Sequence, residues 1–245
     1  LGKKSNDVDV KLVVDQTNKI TIQGEGVRKD TSSQYTHNKF CIVDNQIVST
    51  GSMNPTENGA HKNNNNLLIF YSNYLAINYE QEFQELWNGN FGEGSKVTYP
   101  ILYLNNIEIE NYFCPEDNCA DKIINQINKA EKSIHFMAFS FTHDGIGDAL
   151  LFNEKAEIKG IVENRGAESK YGQFRRLKDF GINVKKDKNP NTMHHKVFII
   201  DEKTVITGSM NPTASGNNKN DENMIIIHNP NIAKKFIEEF ENLFN

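Results

Sequence analysis

The sequence predicts an α/β protein built from two copies of one half, and three observations predict it. A polar block occurs twice: His37-Asn-Lys39-Phe-Cys-Ile-Val-Asp44 followed by Gly51-Ser52-Met-Asn54-Pro-Thr56, and His194-His-Lys196-Val-Phe-Ile-Ile-Asp201 followed by Gly208-Ser209-Met-Asn211-Pro-Thr213. The offset between the copies is constant at 157 positions (37 to 194, 44 to 201, 54 to 211). It persists without a gap through Gly59 and Gly216, Ala76 and Ala233, Phe83 and Phe240, Leu86 and Leu243. Helix-length amphipathic stretches alternate with short apolar runs, the pattern of layered helices and sheet.

The second copy is the fuller one and sets the template. Asp117 to Ala130 predicts a helix with Ile123, Ile124 and Ile127 on one face; Ser133 to Phe139 predicts a buried strand, and Ile146 to Phe152 a short helix. Ile158 to Glu163 is a second strand, Tyr171 to Phe180 a helix stopped by Gly181, and His194 to Ile200 the motif strand. Thr204 to Thr207 and Met224 to His228 complete the strands, and Ala233 to Phe244 closes as an amphipathic helix.

In the first copy, Val10 to Asp15 aligns with Ile158 to Glu163, and nothing corresponds to Asn111 to Ala156. The N-terminal half is therefore expected to lack its first strand and helices, which leaves a sheet edge open to pairing. Leu1, with no leader pattern behind it, reads as a processed or truncated terminus, with the lacking elements removed or supplied by another chain; it fixes no compartment. The expected boundaries are residues 1–90 for the incomplete first half, 91–112 for a linker opening on Asn88-Gly-Asn-Phe-Gly-Glu-Gly94, and 113–245 for the second half.

A net charge of −5 argues against a protein coated in positive potential. Local charge differs: between positions 165 and 188 stand Arg165, Lys170, Arg175, Arg176, Lys178, Lys185, Lys186 and Lys188 against Glu168, Asp179 and Asp187. That segment is either a solvated face or a track for phosphates. The longest apolar runs, such as Leu67 to Tyr71, are strand-length and far below the roughly 20 residues of a membrane-crossing helix. Cys41 reads as a small core residue, and the spacing of Cys114 and Cys119 permits a local disulfide or two free thiols.

On a strand, residues two apart share a face, so His37 with Lys39 and His194 with Lys196 can address one ligand. Asp44 and Asp201 fall at strand ends in supporting roles, while Ser52, Asn54, Ser209 and Asn211 add neutral donors beside the close-approach glycines Gly51 and Gly208. Ammonium and amide donors around one point make a socket for phosphate oxygens. One imidazole can attack phosphorus to form a phosphohistidine, while the other protonates the leaving oxygen and later activates water. The lysines supply the positive charge that a metal supplies elsewhere, so this chemistry asks for no metal and no cofactor.

His-x-Lys-x₄-Asp followed by Gly-Ser-x-Asn, present twice, resembles the signature of the phospholipase D superfamily, and the likeness covers nearly the whole chain. The resemblance implies two phospholipase D-like α/β halves related by pseudo-two-fold symmetry, with both motifs in one site at their interface. It also implies a metal-independent phosphodiesterase with His37 as nucleophile and His194 as general acid. Glu222 matches the acidic residue that orients a histidine in the family, and its counterpart here is the neutral Asn65. His61, His135, His143, His195 and His228 fall outside the motif and read as structural or surface residues.

Three substrate readings are distinguished: a nuclease on single-stranded nucleic acid, a phospholipase D acting on phospholipid headgroups, and a silent binding protein. The short polar connections Thr56 to Asn66 and Thr213 to Asn223 offer no membrane dock, and the 165–188 segment with Arg28, Lys29 and Lys62 can track a phosphate backbone. Tyr35, Tyr171 and Phe174 read equally as base-stacking or core residues. The expectation is a nuclease, DNA or RNA, monomeric because one chain carries both motifs.

Overall fold

The computed structural model describes residues 8–17 and 24–245. The first half contributes β1 (Leu12–Val14), β2 (Val27–Lys29), β3 (Cys41–Val43), β4 (Ile47–Gly51), α1 (Glu57–His61), β5 (Leu67–Tyr71) and α2 (Asn73–Asn88). The chain continues through β6 (Ile101–Leu104), β7 (Ile107–Cys114), α3 (Cys119–Lys129), β8 (Ser133–Ala138), α4 (Asp144–Phe152), β9 (Glu157–Val162) and α5 (Asn164–Ala167). It ends with α6 (Gln173–Asp179), β10 (Asn183–Lys186), β11 (Lys196–Ile200), β12 (Thr204–Gly208), α7 (Ala214–Asn218), β13 (Glu222–His228) and α8 (Pro230–Phe244).

Eight strands of the second half form one mixed sheet in the order β10-β9-β8-β11-β12-β13-β7-β6, parallel across β10, β9 and β8 and antiparallel beyond. Every residue of β8, β11 and β12 is buried, as expected of strands covered on both faces. One face packs under α3 and α4 through Ile123, Ile127, Ile146 and Leu150; the other packs under α8 through Ala233, Phe236, Phe240 and Phe244. Helix α8 starts where Asn229 caps the N–H groups of Asn231 and Ile232 and Pro230 takes the first turn.

The first half is a reduced version of the same plan. β1 and β2 pair in parallel and β3, β4 and β5 form a separate antiparallel sheet. In the second half β8 bridges β9 and β11; among the described residues the first half has no such strand, and its sheet is in two pieces, as the sequence comparison predicts. With no counterpart of α3 and α4 among the described residues, Val43, Leu67, Ile69 and Tyr71 are exposed where the equivalent Ile200, Met224 and Ile226 are buried.

Three expectations need correction. Residues 91–112 are not simply a linker: they carry β6 and most of β7, and β7 pairs along the whole of β13. The glycine-rich exit from Asn88 to Gly94 marks a connection by composition, whereas the strands that follow it are set by their pairing with each other and with β13, which composition does not show. The motif strand begins at Lys196 rather than His194, because the backbone before it turns away to bond the other half. Cys114 and Cys119 are bridged, and Cys41 is an exposed free thiol rather than a core residue, since nothing covers its face of β3.

Candidate active site

The two halves meet through matched backbone pairings. Thr36 forms a parallel bridge with Asp221, and Met193 forms one with Asn64; these pairs are exchanged by the 157-residue offset. His37 N donates to Asp221 O at 2.9 Å, and His194 N donates to Asn64 O at 2.7 Å. Each motif histidine is thus held by the backbone of the opposite half.

Behind the histidines the symmetry continues in buried polar groups. Thr50 Oγ1 bonds Asn223 Oδ1 at 2.6 Å and Thr207 Oγ1 bonds Asn66 Oδ1 at 3.2 Å. Ser52 Oγ accepts from Asn66 N at 3.1 Å, and Ser209 Oγ from Asn223 N at 2.9 Å. Asn38 donates to Glu82 at 2.7 Å where its counterpart His195 meets Glu239 at 3.4 Å. Gly51 and Gly208 sit at positive φ with the backbone of Asn66 and Asn223 so near that a Cβ would stand within 2.4 Å of a carbonyl oxygen.

The chemistry is not symmetric. His37 Nδ1 lies 2.7 and 2.9 Å from the two oxygens of the fully buried Glu222, which also accepts from Ser209 Oγ at 2.6 Å. The counterpart Asn65 turns away to donate to Gly59 O at 2.7 Å. His194 Nδ1 instead lies 2.9 Å from Ser52 O, and a carbonyl can only accept, so Nδ1 carries the proton and Nε2 the lone pair. A carboxylate on His37 Nδ1 dictates the same tautomer there, so both Nε2 atoms are available to phosphorus or to a leaving oxygen.

Lys39 Nζ donates to His37 O at 2.6 Å; Lys196 Nζ lies 3.1 Å from His194 O and 3.2 Å from His194 Nε2. Burial lowers Lys39 to about 8 against the pull of Glu222 and Asp15, and burial together with Lys39 holds Lys196 well below its ordinary range. Burial, then Lys196 and Lys39, lowers His194 to about 3; burial also lowers His37, with Glu222 opposing. The site concentrates positive charge that an anion would relieve.

Of the other residues singled out by sequence, Asn54 lines a cleft beside His194, and Asn211 is half-buried with its Oδ1 unpartnered. Asp201 accepts from the N–H groups of Glu131, Lys132 and Ser133 and anchors the start of β8; Asp44, equally in a left-handed turn, is exposed. Phe174 is core, whereas Tyr35 and Tyr171 are exposed. Much of the 165–188 segment is paired internally: Arg175 and Lys186 with Glu168, Arg176 with Asp148, Lys185 and Lys188 with carbonyls of the C-terminal residues. The buttressing residues Asn38, Thr50, Asn66, Glu82, Thr207, Asn223 and Glu239 were not singled out, although polar pairs recurring at the 157 offset inside apolar strands would have marked most of them. Among the described residues Glu108, Glu110 and His228 place three ligand atoms within 4.8 Å of one another, at the end of β13 opposite Glu222.

A family model described as "Cardiolipin synthase, PLD-like domain" matches residues 2–87 and 123–244. A phospholipase D of Rickettsia conorii is 34% identical over 147 residues, covering 59% of this chain and 73% of the relative; a mitochondrial cardiolipin hydrolase of Chlamydomonas reinhardtii is 27% identical over 126 residues, covering 51% and 56%. The crystal structure of Nuc, a phospholipase D family member from Salmonella typhimurium, superposes with a TM-score of 0.54 at 31% identity, covering 57% of this chain and 95% of that one. Phosphatidylserine synthase of Haemophilus influenzae shares the fold, with a TM-score of 0.65 at 13% identity over 85% of this chain and 61% of its own. With paired histidines and lysines at the junction of two repeated halves and the family model matched in both, the chain belongs to the phospholipase D superfamily of phosphodiester hydrolases.

Proposed function

We propose that the protein is a metal-independent nuclease on single-stranded nucleic acid, acting through a phosphohistidine on His37. The observation that carries the chemistry is the bidentate approach of Glu222 to His37 Nδ1, absent at His194. The His37 Nε2 lone pair forms the N–P bond, and the imidazole becomes cationic beside a buried carboxylate that stabilises it. The P–O bond to the leaving group breaks, and that oxygen takes the proton of His194 Nε2. Water then gives a proton to His194 and attacks phosphorus, and the pair of the P–N bond returns to His37. His194 is neutral without substrate; a phosphodiester anion between Lys39 and Lys196 offsets their charge and favours its protonation, so acid catalysis is coupled to binding. The lysines hold the charge that develops on the non-bridging oxygens.

The cleft beside His194, with Asn54, Asn63, Ser140, Arg165 and Thr192 in its lining, supports nucleic acid as substrate. The exposed apolar face of β3 and β5, together with relatives named as phospholipase D and cardiolipin hydrolase, supports phospholipid hydrolysis as the second reading.

The test is cleavage of end-labelled single-stranded DNA in EDTA, with phosphatidylglycerol vesicles in parallel. Labelled substrate should leave covalent label on the His194→Ala protein, which lacks the acid and base for turnover, and none on His37→Ala. Label on His37→Ala alone would reverse the roles; cleavage of vesicles only would replace the nuclease reading.

A further inference from the structure

A cleft of about 540 Å³ opens directly against His194, lined by Asn54, Asn63, Phe139, Ser140, Arg165 and Thr192 with Glu163 and Gly166 at its wall. That volume holds a nucleotide-sized ligand. Its lining combines polar side chains with apolar surface and one aromatic ring: Phe139 packs 4.7 Å from the His194 ring, half-buried. The side chains of Asn54, Asn63 and Ser140 make no hydrogen bond to another described residue, so their donors and acceptors are free for a ligand. Arg165 is exposed at the rim. Its Nη2 is held by the carbonyls of Asn191 and Pro190 and its Nε lies 3.8 Å from Glu163, contacts that position the guanidinium, while Nη1 makes no hydrogen bond to another described residue.

Phe139 and Ser140 follow β8, and Glu163 and Arg165 follow β9; among the described residues the first half has no strand equivalent to β8 and so no counterpart of this wall beside His37.

Resting on the nuclease reading above, we propose that this cleft is the leaving-side subsite of a polynucleotide: it seats the nucleotide departing beside His194, with Phe139 against its base or sugar and Arg165 on the next phosphate. A polynucleotide carries a phosphate one residue beyond the scissile one, which is the ligand a fixed guanidinium suits. A simple lipid headgroup has no second anion. A departing lipid half that had one would bring acyl chains, for which Phe139 is the single hydrophobic side chain among the lining residues.

The experiment compares d(TpT), d(pTpT) and d(TpTp), which share one scissile linkage and differ in a terminal phosphate. For the parent protein, one of the two terminal phosphates should lower KM about tenfold or more, and which one reports the strand polarity. Arg165→Gln should erase that preference and Arg165→Lys restore part of it, while Lys170→Gln, exposed outside the cleft, should keep it. Because the readout is a ratio between substrates on one protein sample, partial misfolding does not imitate it. Equal KM for all three dinucleotides, or a preference that survives Arg165→Gln, overturns the subsite alone. A parent that cleaves none of the three but hydrolyses dioleoylphosphatidylglycerol vesicles overturns the nuclease reading and the subsite with it.

Discussion

Glu222→Gln isolates the asymmetry on which the assignment of the nucleophile rests. In the parent, Ser209 Oγ receives the N–H of Asn223 and donates its own proton to Glu222 Oε2 at 2.6 Å, while His37 Nδ1 lies 2.7 and 2.9 Å from the carboxylate. In the variant the new carbonyl oxygen accepts from Ser209 at the Oε2 position, 2.7 Å from His37 Nδ1, and the amide NH₂ takes the Oε1 position at 2.9 Å from the same nitrogen. A donor facing Nδ1 competes with the Nδ1–H tautomer and favours the proton on Nε2, the atom that attacks. Loss of the charge-assisted bond alone costs roughly 1.5–3 kcal/mol, about 10- to 150-fold in rate. The inverted tautomer adds to this, and a comparable amide-for-carboxylate change in a serine protease triad costs ~10⁴ in kcat. The expected loss in kcat is therefore at least about tenfold and up to about 10⁴-fold. Rapid-quench single-turnover cleavage of labelled single-stranded DNA measures it, with formation of the covalent adduct followed separately. Adduct formation within threefold of the parent would refute the argument that Glu222 sets the tautomer and charge of the nucleophile.

Three further outcomes follow from the same structure. Lys39 is held at about 8 when folded against an ordinary 10.5, so the unfolded chain binds more protons between those values and stability should rise with pH across that window. Lys39→Met should abolish cleavage yet raise stability at pH 7 by on the order of 3 kcal/mol, read by urea denaturation; a destabilised variant would show that the lysine is not under strain. Burial works against the Asp201 carboxylate, but bonds from the N–H groups of Ser133, Lys132 and Glu131 prevail and lower its pKa; its contribution is present above the ordinary carboxylate range and lost as pH falls through the folded value. Asp201→Ala should cost roughly 1–3 kcal/mol at pH 7 and flatten the acid limb of the stability profile, whereas Asp44→Ala at its exposed turn should stay within about 0.5 kcal/mol. Gly160→Ala would place a methyl carbon 2.0 Å from the buried Phe136 ring and should lower stability by about 1–3 kcal/mol, seen as a fall of several degrees in Tm.

The repeat made much of this molecule legible in its sequence. A fixed offset of 157 identified the two halves, the paired histidines and lysines, and the strand and helices that the first half lacks, because each of these depends on residue type and spacing alone. Local patterning also placed α3, α8 and the strands β8, β9, β11, β12 and β13 to within a few residues, since caps and apolar periodicity act over short range; β6, β7 and β10 it did not mark. What required the fold was everything that crosses between halves. Sequence singled out Glu222 but could not assign it to His37, because that contact joins residues 185 positions apart through the pairing of Thr36 with Asp221. Nor could it show that Ser52 serves His194 through its backbone carbonyl rather than its hydroxyl, or that Arg175, Arg176 and Lys186 of the basic segment after β9 are paired with nearby carboxylates. Residue identity determines which groups can carry charge and protons; only the packing of one half against the other decides which of them are buried, paired and aimed at the same point.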